Sequence, residues 1–147
     1  MRSMIRKAVI GLVVAVAAAG CSKDTGTSPS STVNVPFSTV DLRVGTGAEA
    51  TTGRGVTVHY TLWLYNAQGV DNKGTMVQTS VGGTPFSFTV GTGVIPGFSQ
   101  GVTGMRVGGL RRITVPPSLG YGANPPSGSG IPANATLIFE LELLAVQ

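Results

Sequence analysis

The sequence predicts an α+β domain in which an antiparallel sheet curves around one short α-helix. Two observations support this prediction. Several short segments rich in β-branched and aromatic residues are separated by turns that contain glycine or proline. A single short segment, which starts at Pro96, has apolar residues at helical spacing. Many strands with one short helix are typical of a sheet that packs one face against that helix.

The first two strands are predicted from their patterns and from the turns that follow them. Residues 37–44 have alternating character and end at the turn 45–47. Residues 56–64 alternate between apolar and polar side chains, as in a strand with one buried face. One face of that strand should carry Val56, Val58, Tyr60, Leu62 and Leu64, and the other Thr57, His59, Thr61 and Trp63. Residues 66–74 are polar and turn-rich, which predicts a loop.

The helix is predicted between two further strands. Residues 86–90 form a short strand, and the turn at 91–93 follows it. Pro96 suits the first position of a helix, where its missing N–H would have no partner. The apolar side chains of Phe98, Val102 and Met105 recur at helical spacing, and Gly104 can end the helix. Residues 110–115 and 136–146 are the last two predicted strands.

Residues 1–20 are predicted to be a signal peptide. Three basic residues precede the apolar run 8–19, which is too short for a comfortable membrane span. The sequence Ala18-Ala19-Gly20-Cys21 is similar to a bacterial lipobox, in which the cysteine is lipidated, although Ala18 stands where leucine is usual. The alternative is an ordinary secretory signal with a cysteine nearby by accident.

Residues 21–35 are predicted to be the lipidated Cys21 and a flexible linker. Ser, Thr, Gly and Pro dominate this segment, which has too few apolar residues to fold. Residues 36–147 then form one domain, without an internal disulfide because Cys21 is the only cysteine. We therefore expect a domain outside the cytoplasm, lipid-anchored to a membrane of the bacterial cell envelope.

Charge excludes a nucleic-acid partner. The formal net charge is +4, but three of the ten basic residues lie in the predicted signal peptide; the other seven, against six acidic residues, leave 7 − 6 = +1. No basic stripe remains to follow a phosphate backbone, and Arg106, Arg111 and Arg112 are expected on the solvated face of a strand. His59 is the only histidine and has no cysteine or acidic cluster beside it in the sequence, so we expect no metal and no cofactor.

Four segments resemble the FKBP-type peptidyl-prolyl isomerases, bacterial members most of all. The longest is residues 94–122, which includes Val94-Ile95-Pro96-Gly97-Phe98 and Gly120-Tyr121-Gly122; the others are residues 59–61, 85–88 and 133–144. They occur in the family's order at nearly its spacing, over residues 56–144. The resemblance implies a curved antiparallel sheet of five or six strands around one helix. It also implies isomerisation of X–Pro bonds in an apolar pocket, without covalent chemistry.

The resemblance also implies the site residues. The catalytic residues would be Tyr60, Phe98, Tyr121 and Phe139, and the substrate-binding residues Phe86, Val94, Ile95, Val77, Gln78 and Ile131. The N–H of Ile95 and the hydroxyl of Tyr121 would hold substrate carbonyls. Composition alone favours a simpler alternative, since most buried aromatic residues only pack in a core. Phe88 is expected to face the same side of its strand as Phe86.

One departure from the family leaves two functions open. Relatives commonly read Phe-Asp-Ser-Ser where this chain has Val77-Gln78-Thr79-Ser80, so an aromatic residue and an acid are missing. The first hypothesis is a monomeric isomerase that acts on proline-containing peptides or unfolded exported proteins and binds macrolide inhibitors. The alternative is a weakly active or inactive peptide-binding or chaperone module of the cell envelope. Gly130, where an apolar residue is usual, implies loose substrate preference.

Overall fold

The computed structural model describes residues 34–147, and all structural statements below concern that part of the chain. The predicted signal peptide, Cys21 and nearly all of the predicted linker lie outside the described residues. Within residues 34–147, no helix is long and apolar enough to cross a membrane.

Six antiparallel strands form one sheet, which confirms the predicted fold class. The strands are β1 Ser38–Arg43, β2 Gly55–Tyr65, β3 Lys73–Thr79, β4 Phe86–Thr89, β5 Leu110–Val115 and β6 Leu137–Val146. The order across the sheet is β1-β5-β6-β2-β3. β4 also pairs with β2, at residues 55–58, whereas β3 pairs with residues 61–65. β2 and β6 therefore lie at the centre, and β1 is an edge strand.

One short helix, α1 Pro96–Val102, packs against β5. It begins where predicted, with Pro96 at its first position after an extended Ile95. It ends at Val102, just before Gly104, whose φ of 80° is accessible to glycine without strain. Two helix glycines are buried and let the helix backbone approach β5 closely: Gly97 lies against Val115 and Gly101 against Ile113.

The core lies between the helix and one face of the sheet. The predicted parity of β2 holds, because Val56, Val58 and Leu62 are buried. The other buried members of the core are Ala50, Val90, Phe98, Val102, Met105, Ile113, Val115, Leu137, Phe139, Leu141 and Leu143. No polar or charged side chain is fully buried within residues 34–147. Burial of apolar surface therefore stabilises this domain, at roughly 25 cal/mol for each Å² removed from water.

The sequence did not predict β3. The loop predicted at residues 66–74 is wrong at its end, where Lys73 and Gly74 already belong to the strand. β3 is mostly exposed and lacks an alternating apolar pattern, so the usual signal for a half-buried strand is absent. Its pairing with β2 is also irregular: Gln78 pairs with Leu62 and Met76 with Trp63, so that Val77 is inserted between two paired positions.

The prediction of a solvated strand face is wrong for Arg111, which faces the helix side of the sheet, whereas Arg112 lies on the outer face but is largely shielded from water. The side chains of Arg111 and Arg112 are only 14% and 17% exposed. Arg111 donates to Asp41 and to the carbonyls of Gly101 and Thr103 at the end of α1. Arg112 donates to Glu140 and to Asp71. Carboxylates and backbone carbonyls therefore accept hydrogen bonds from both guanidinium groups.

Candidate functional site

A cavity of about 150 Å³ opens between β2, β4, the first turn of α1 and the segment that carries Tyr121. Eight of the ten residues that the resemblance implied line it. The lining residues are Tyr60, Leu62, Gln78, Phe86, Gly93, Val94, Ile95, Phe98, Tyr121 and Phe139. None of them carries a charge at neutral pH. The cavity can therefore hold an uncharged, partly apolar group.

Aromatic rings form the floor and walls of this cavity. Phe98 is 4% exposed and packs edge-to-face against three other rings of the lining. Its ring centroid lies 5.8 Å from that of Tyr60, 6.2 Å from Phe86 and 5.2 Å from Phe139. Edge-to-face contacts at this range stabilise an aromatic cluster by about 0.5–1.5 kcal/mol per pair beyond area burial. The floor of the cavity is thus a fixed part of the core.

Phe86 and Phe88 lie on the same side of β4, as expected. Their rings are stacked at 5.5 Å, and Phe88 also contacts Phe98. Phe86 is 37% exposed at the rim of the cavity, whereas Phe88 is outside the lining. Phe88 therefore supports Phe98 from behind rather than bounding the cavity.

Two of the implied substrate-binding residues, Val77 and Ile131, do not line the cavity. Both are half-buried against the edge of the core. Val77 is the inserted residue of β3, and its side chain lies beside the Gly130 backbone in the loop that carries Ile131. Their contact with a substrate stays a prediction, and the cavity lining does not support it.

Two lining residues, Leu62 and Gly93, were not predicted from the sequence. Leu62 lies two residues after Tyr60 on β2, so strand alternation places both side chains on the same face. That signal was available in the sequence. Gly93 has a φ of 75° and lines the cavity with backbone alone, so no side-chain pattern could have indicated it.

Several hydrogen-bonding groups of the lining have no partner within residues 34–147, the side-chain amide of Gln78 among them. Three further donors of this kind are the N–H of Ile95 and the hydroxyls of Tyr60 and Tyr121. The carbonyl of Ile95, by contrast, accepts from the N–H of Phe98 at 3.0 Å, which fixes the start of the helix. A bound peptide can therefore use these three donors without breaking a bond of the fold.

Hydrogen bonds between β2 and Ser80, the residue after β3, hold Tyr60 in place. The Tyr60 N–H donates to Ser80 Oγ at 3.0 Å, and the Tyr60 carbonyl accepts from the Ser80 N–H at 2.9 Å. Ser80 Oγ also lies 3.1 Å from Nδ1 of His59. The predicted parity is observed, because His59 and Tyr60 point to opposite faces. His59 therefore contributes to the position of Tyr60 without reaching the cavity.

Burial raises the pKa of the Tyr60 phenol above its ordinary value of 10.0, and the nearby Tyr121 raises it further. In the unfolded chain the Tyr60 phenol ionises as the pH passes 10, whereas in the folded domain it keeps its proton to a higher pH. The contribution of this group to the free energy of unfolding is therefore present below pH 10 and is lost as the pH rises through the folded pKa. We expect the phenolate absorbance difference between the wild type and Tyr60→Phe to titrate above pH 10. A difference that titrates at or below pH 10 would mean that this phenol is solvated.

The site lacks a cluster of metal ligands and the commonest catalytic nucleophiles. Among residues 34–147, no cluster of three or more His, Cys, Asp or Glu could hold a metal ion. The lining contains no serine, cysteine or lysine that could act as a nucleophile. The arrangement can bind an apolar ring, hold carbonyl oxygens by neutral donors, and keep water from a peptide bond.

Comparison with known proteins agrees with this arrangement. The sequence pattern described as FKBP-type peptidyl-prolyl cis-trans isomerase matches residues 47–144. An FK506-binding protein of Neisseria meningitidis serogroup B is 46% identical over 107 residues, which span 72% of this chain and 92% of that protein. The chloroplastic peptidyl-prolyl cis-trans isomerase FKBP16-4 of Arabidopsis thaliana is 42% identical over 112 residues, which span 73% of this chain and 46% of that protein.

Solved structures share the same fold. FkpA from Escherichia coli matches with a TM-score of 0.62 and 34% identity, over 76% of this chain and 48% of that one. This chain thus covers about half of FkpA. AtFKBP13 matches with a TM-score of 0.62 and 30% identity, over 76% of this chain and 93% of that one.

Proposed function

The chain belongs to the FKBP-type peptidyl-prolyl cis-trans isomerase family, and we propose that its aromatic cavity isomerises X–Pro bonds in proteins exported from the cytoplasm. One observation carries the proposal. The rings of Tyr60, Phe98 and Phe139 converge on a single uncharged cavity, whose lining also contains Tyr121 and the free N–H of Ile95.

The physical basis is the electronic structure of the amide. Rotation about a peptide bond has a barrier of about 18–20 kcal/mol because resonance makes the C–N bond partly double. The twisted transition state loses this resonance and with it part of the polarity of the planar amide. A dry, apolar cavity therefore destabilises the planar form more than the twisted form. No proton transfer and no covalent intermediate are required.

The lining residues divide into two roles in this mechanism. Phe98 and Phe139, both almost fully buried, provide the floor for the proline ring. The Ile95 N–H and the Tyr121 hydroxyl donate to substrate carbonyls, so that rotation occurs in a fixed peptide. Tyr60 adds a third neutral donor beside the amide. The Ile95 N–H is already oriented by the start of the helix before the substrate binds.

We expect Tyr121→Phe to lower kcat/KM for isomerisation by roughly 2- to 13-fold, the effect of losing one neutral hydrogen bond of about 0.5–1.5 kcal/mol. A protease-coupled assay on a short X–Pro peptide measures this. Tyr65→Phe is the matched control, since Tyr65 lies at the end of β2 outside the cavity lining. Equal activity of the wild type and Tyr121→Phe would remove Tyr121 from the mechanism, and no activity above the uncatalysed rate would refute the proposed function.

The substitution of an acid by Gln78 favours a second candidate function, a module that binds proline-containing chains with little turnover. Gln78 lines the cavity and supplies a neutral amide rather than a carboxylate. Tight peptide binding without an isomerisation rate above the uncatalysed rate would favour this candidate. Higher turnover in the double variant Gln78→Asp with Val77→Phe would identify the cause.

The ligands and location proposed for this protein rest on the family and on the N-terminal sequence. We propose proline-containing peptides and unfolded exported proteins as partners, with macrolides of the FK506 type as inhibitors, since relatives are named for FK506 binding. We also propose a monomer anchored to a membrane of the bacterial cell envelope through lipidated Cys21. Mass spectrometry of membrane-extracted protein should show acylated Cys21; a product that begins at another residue contradicts the anchor.

A further inference from the structure

The side of the domain that carries the cavity is built from two uncharged stretches of sequence. Residues 74–105 contain no Asp, Glu, Lys, Arg or His, and neither do residues 113–139. These stretches supply β4, α1, most of β3 and the loops around the opening. They provide every lining residue except Tyr60 and Leu62, which are themselves uncharged.

The charged side chains of residues 34–147 lie elsewhere, and every carboxylate among them is in an ion pair. On the face of the sheet away from the cavity, Glu140 binds both Arg112 and Lys73, at 2.9 and 2.5 Å. Glu140 and Glu142 alternate along β6 with Phe139 and Leu141, so they point away from the cavity floor. The remaining pairs are Arg43–Glu142, Arg112–Asp71, Arg106–Glu49 and Arg111–Asp41.

The Arg111–Asp41 pair lies on the helix side of the sheet. Arg111 contacts the carbonyls of Gly101 and Thr103 at the end of α1, whereas Ile95 bounds the cavity at the start. At 1.5 Å per residue, Gly101 lies about 9 Å along the helix from Ile95. Asp41 neutralises Arg111, and at physiological salt the Debye length is about 8 Å. Arg54, the one cation of residues 34–147 outside these ion pairs, donates to the carbonyl oxygen of Gln147 and does not line the cavity. A peptide in the cavity therefore contacts no fixed charge of the described residues.

We propose that this site does not discriminate substrates by charge: X–Pro segments with acidic, basic or neutral residues two or three positions from the proline are bound and isomerised equally well. This inference rests on the proposed function and adds the class of substrate. A charged flanking residue keeps its hydration outside the cavity and meets no fixed charge that attracts or repels it. Selection then depends on the apolar fit of the proline and its immediate neighbour.

The experiment compares three peptides with the same Leu-Pro centre, whose flanking positions carry two glutamates, two lysines or two glutamines. Isomerisation is measured by NMR exchange, because a coupling protease would introduce its own charge preference. We expect kcat/KM values within about twofold of one another. They should not change between roughly 20 mM and 200 mM salt, since there is little charge–charge interaction between peptide and cavity for the salt to screen. A difference of more than about fivefold that shrinks with added salt would overturn the proposal.

Two variants locate the cause. Gln78→Glu places one negative charge in the lining at nearly the same side-chain shape, and it should favour the lysine peptide over the glutamate peptide by roughly threefold or more at low salt. Ser38→Glu adds the same charge on β1, away from the cavity, and should leave the three peptides equal. Equal rates in Gln78→Glu would show that charge in the lining does not govern selection, which would also overturn the proposal.

The same peptides separate this inference from the proposed function. If none is isomerised, the proposed function fails, and NMR titration still gives a dissociation constant for each peptide. Equal dissociation constants then support selection without charge, and unequal ones contradict it. Absence of binding by all three peptides contradicts both proposals.

Discussion

Phe98→Ala is expected to lower the free energy of unfolding by about 3–5 kcal/mol, the usual cost of removing a buried phenylalanine. The reason is its position, since Phe98 is 4% exposed and contacts the rings of Tyr60, Phe88 and Phe139. Small domains have a total stability of about 5–15 kcal/mol, so the variant should still fold at low temperature. Chemical denaturation of both proteins measures the difference.

The same variant should also lose activity in the fraction that remains folded. The floor under the bound proline would become a void, and water could reach the amide, so we expect kcat/KM to fall roughly tenfold or more, which corresponds to about 1.4 kcal/mol. Phe37→Ala is the matched control, because Phe37 is half-buried against the core but does not line the cavity. It should lose some stability and keep its kcat/KM. An active, merely destabilised Phe98→Ala protein would mean that Phe98 serves only as core.

Gly101→Ala is expected to destabilise the domain, although alanine is the better helix former by about 0.8–1.0 kcal/mol. A Cβ at residue 101 would lie 2.6 Å from Cδ1 and 2.7 Å from Cγ2 of Ile113. Real contacts of this kind are longer, so the helix or β5 must move. Overpacking of a core typically costs about 1–3 kcal/mol, which exceeds the gain in helix propensity.

Gly97→Ala should behave in the same way, with an added effect on the site. A Cβ there would collide with the side chain of Val115, and Gly97 lies between Pro96 and Phe98 at the start of the helix. Displacement of this turn moves Phe98 and Ile95, so we expect a lower kcat/KM as well. Gln100→Ala is the control, since Gln100 is on the exposed side of the helix and its replacement should leave stability nearly unchanged. Thermal unfolding of these variants shows whether each substitution stabilises or destabilises the domain. A stabilised Gly101→Ala protein would contradict the close packing of α1 on β5.

The elements that bury an apolar face could be predicted from the sequence. β2 alternates between apolar and polar residues, and α1 begins at a proline and buries Phe98 and Val102. Hydrophobic periodicity therefore predicted both elements. β3 could not be predicted in this way, because pairing with β2 rather than burial holds it, and an inserted Val77 interrupts its pattern. The ion-pair partners of Arg111 and Arg112 could not be predicted either, since each ion pair joins residues far apart in the sequence.

The candidate site was predicted mainly from the family resemblance rather than from composition. Aromatic content alone did not distinguish Phe98 and Phe139 from ordinary core residues. In the structure both are core and cavity floor at once, which explains why composition gave no answer. Val77 and Ile131 lie outside the lining because the irregular pairing of β3 sets Val77 beside the loop that carries Ile131. Strand irregularities of that kind leave no mark in a single sequence.

In the proposed mechanism, an uncharged aromatic cavity accelerates rotation about X–Pro bonds. NMR exchange spectroscopy on a Leu-Pro peptide with a small amount of protein tests it most directly, since uncatalysed interconversion takes tens to hundreds of seconds. We expect cis–trans exchange peaks that appear with the wild type and weaken in Tyr121→Phe and Phe98→Ala, together with chemical-shift changes at Ile95 and Tyr121. Peptide binding at these residues with exchange no faster than in free peptide would contradict it.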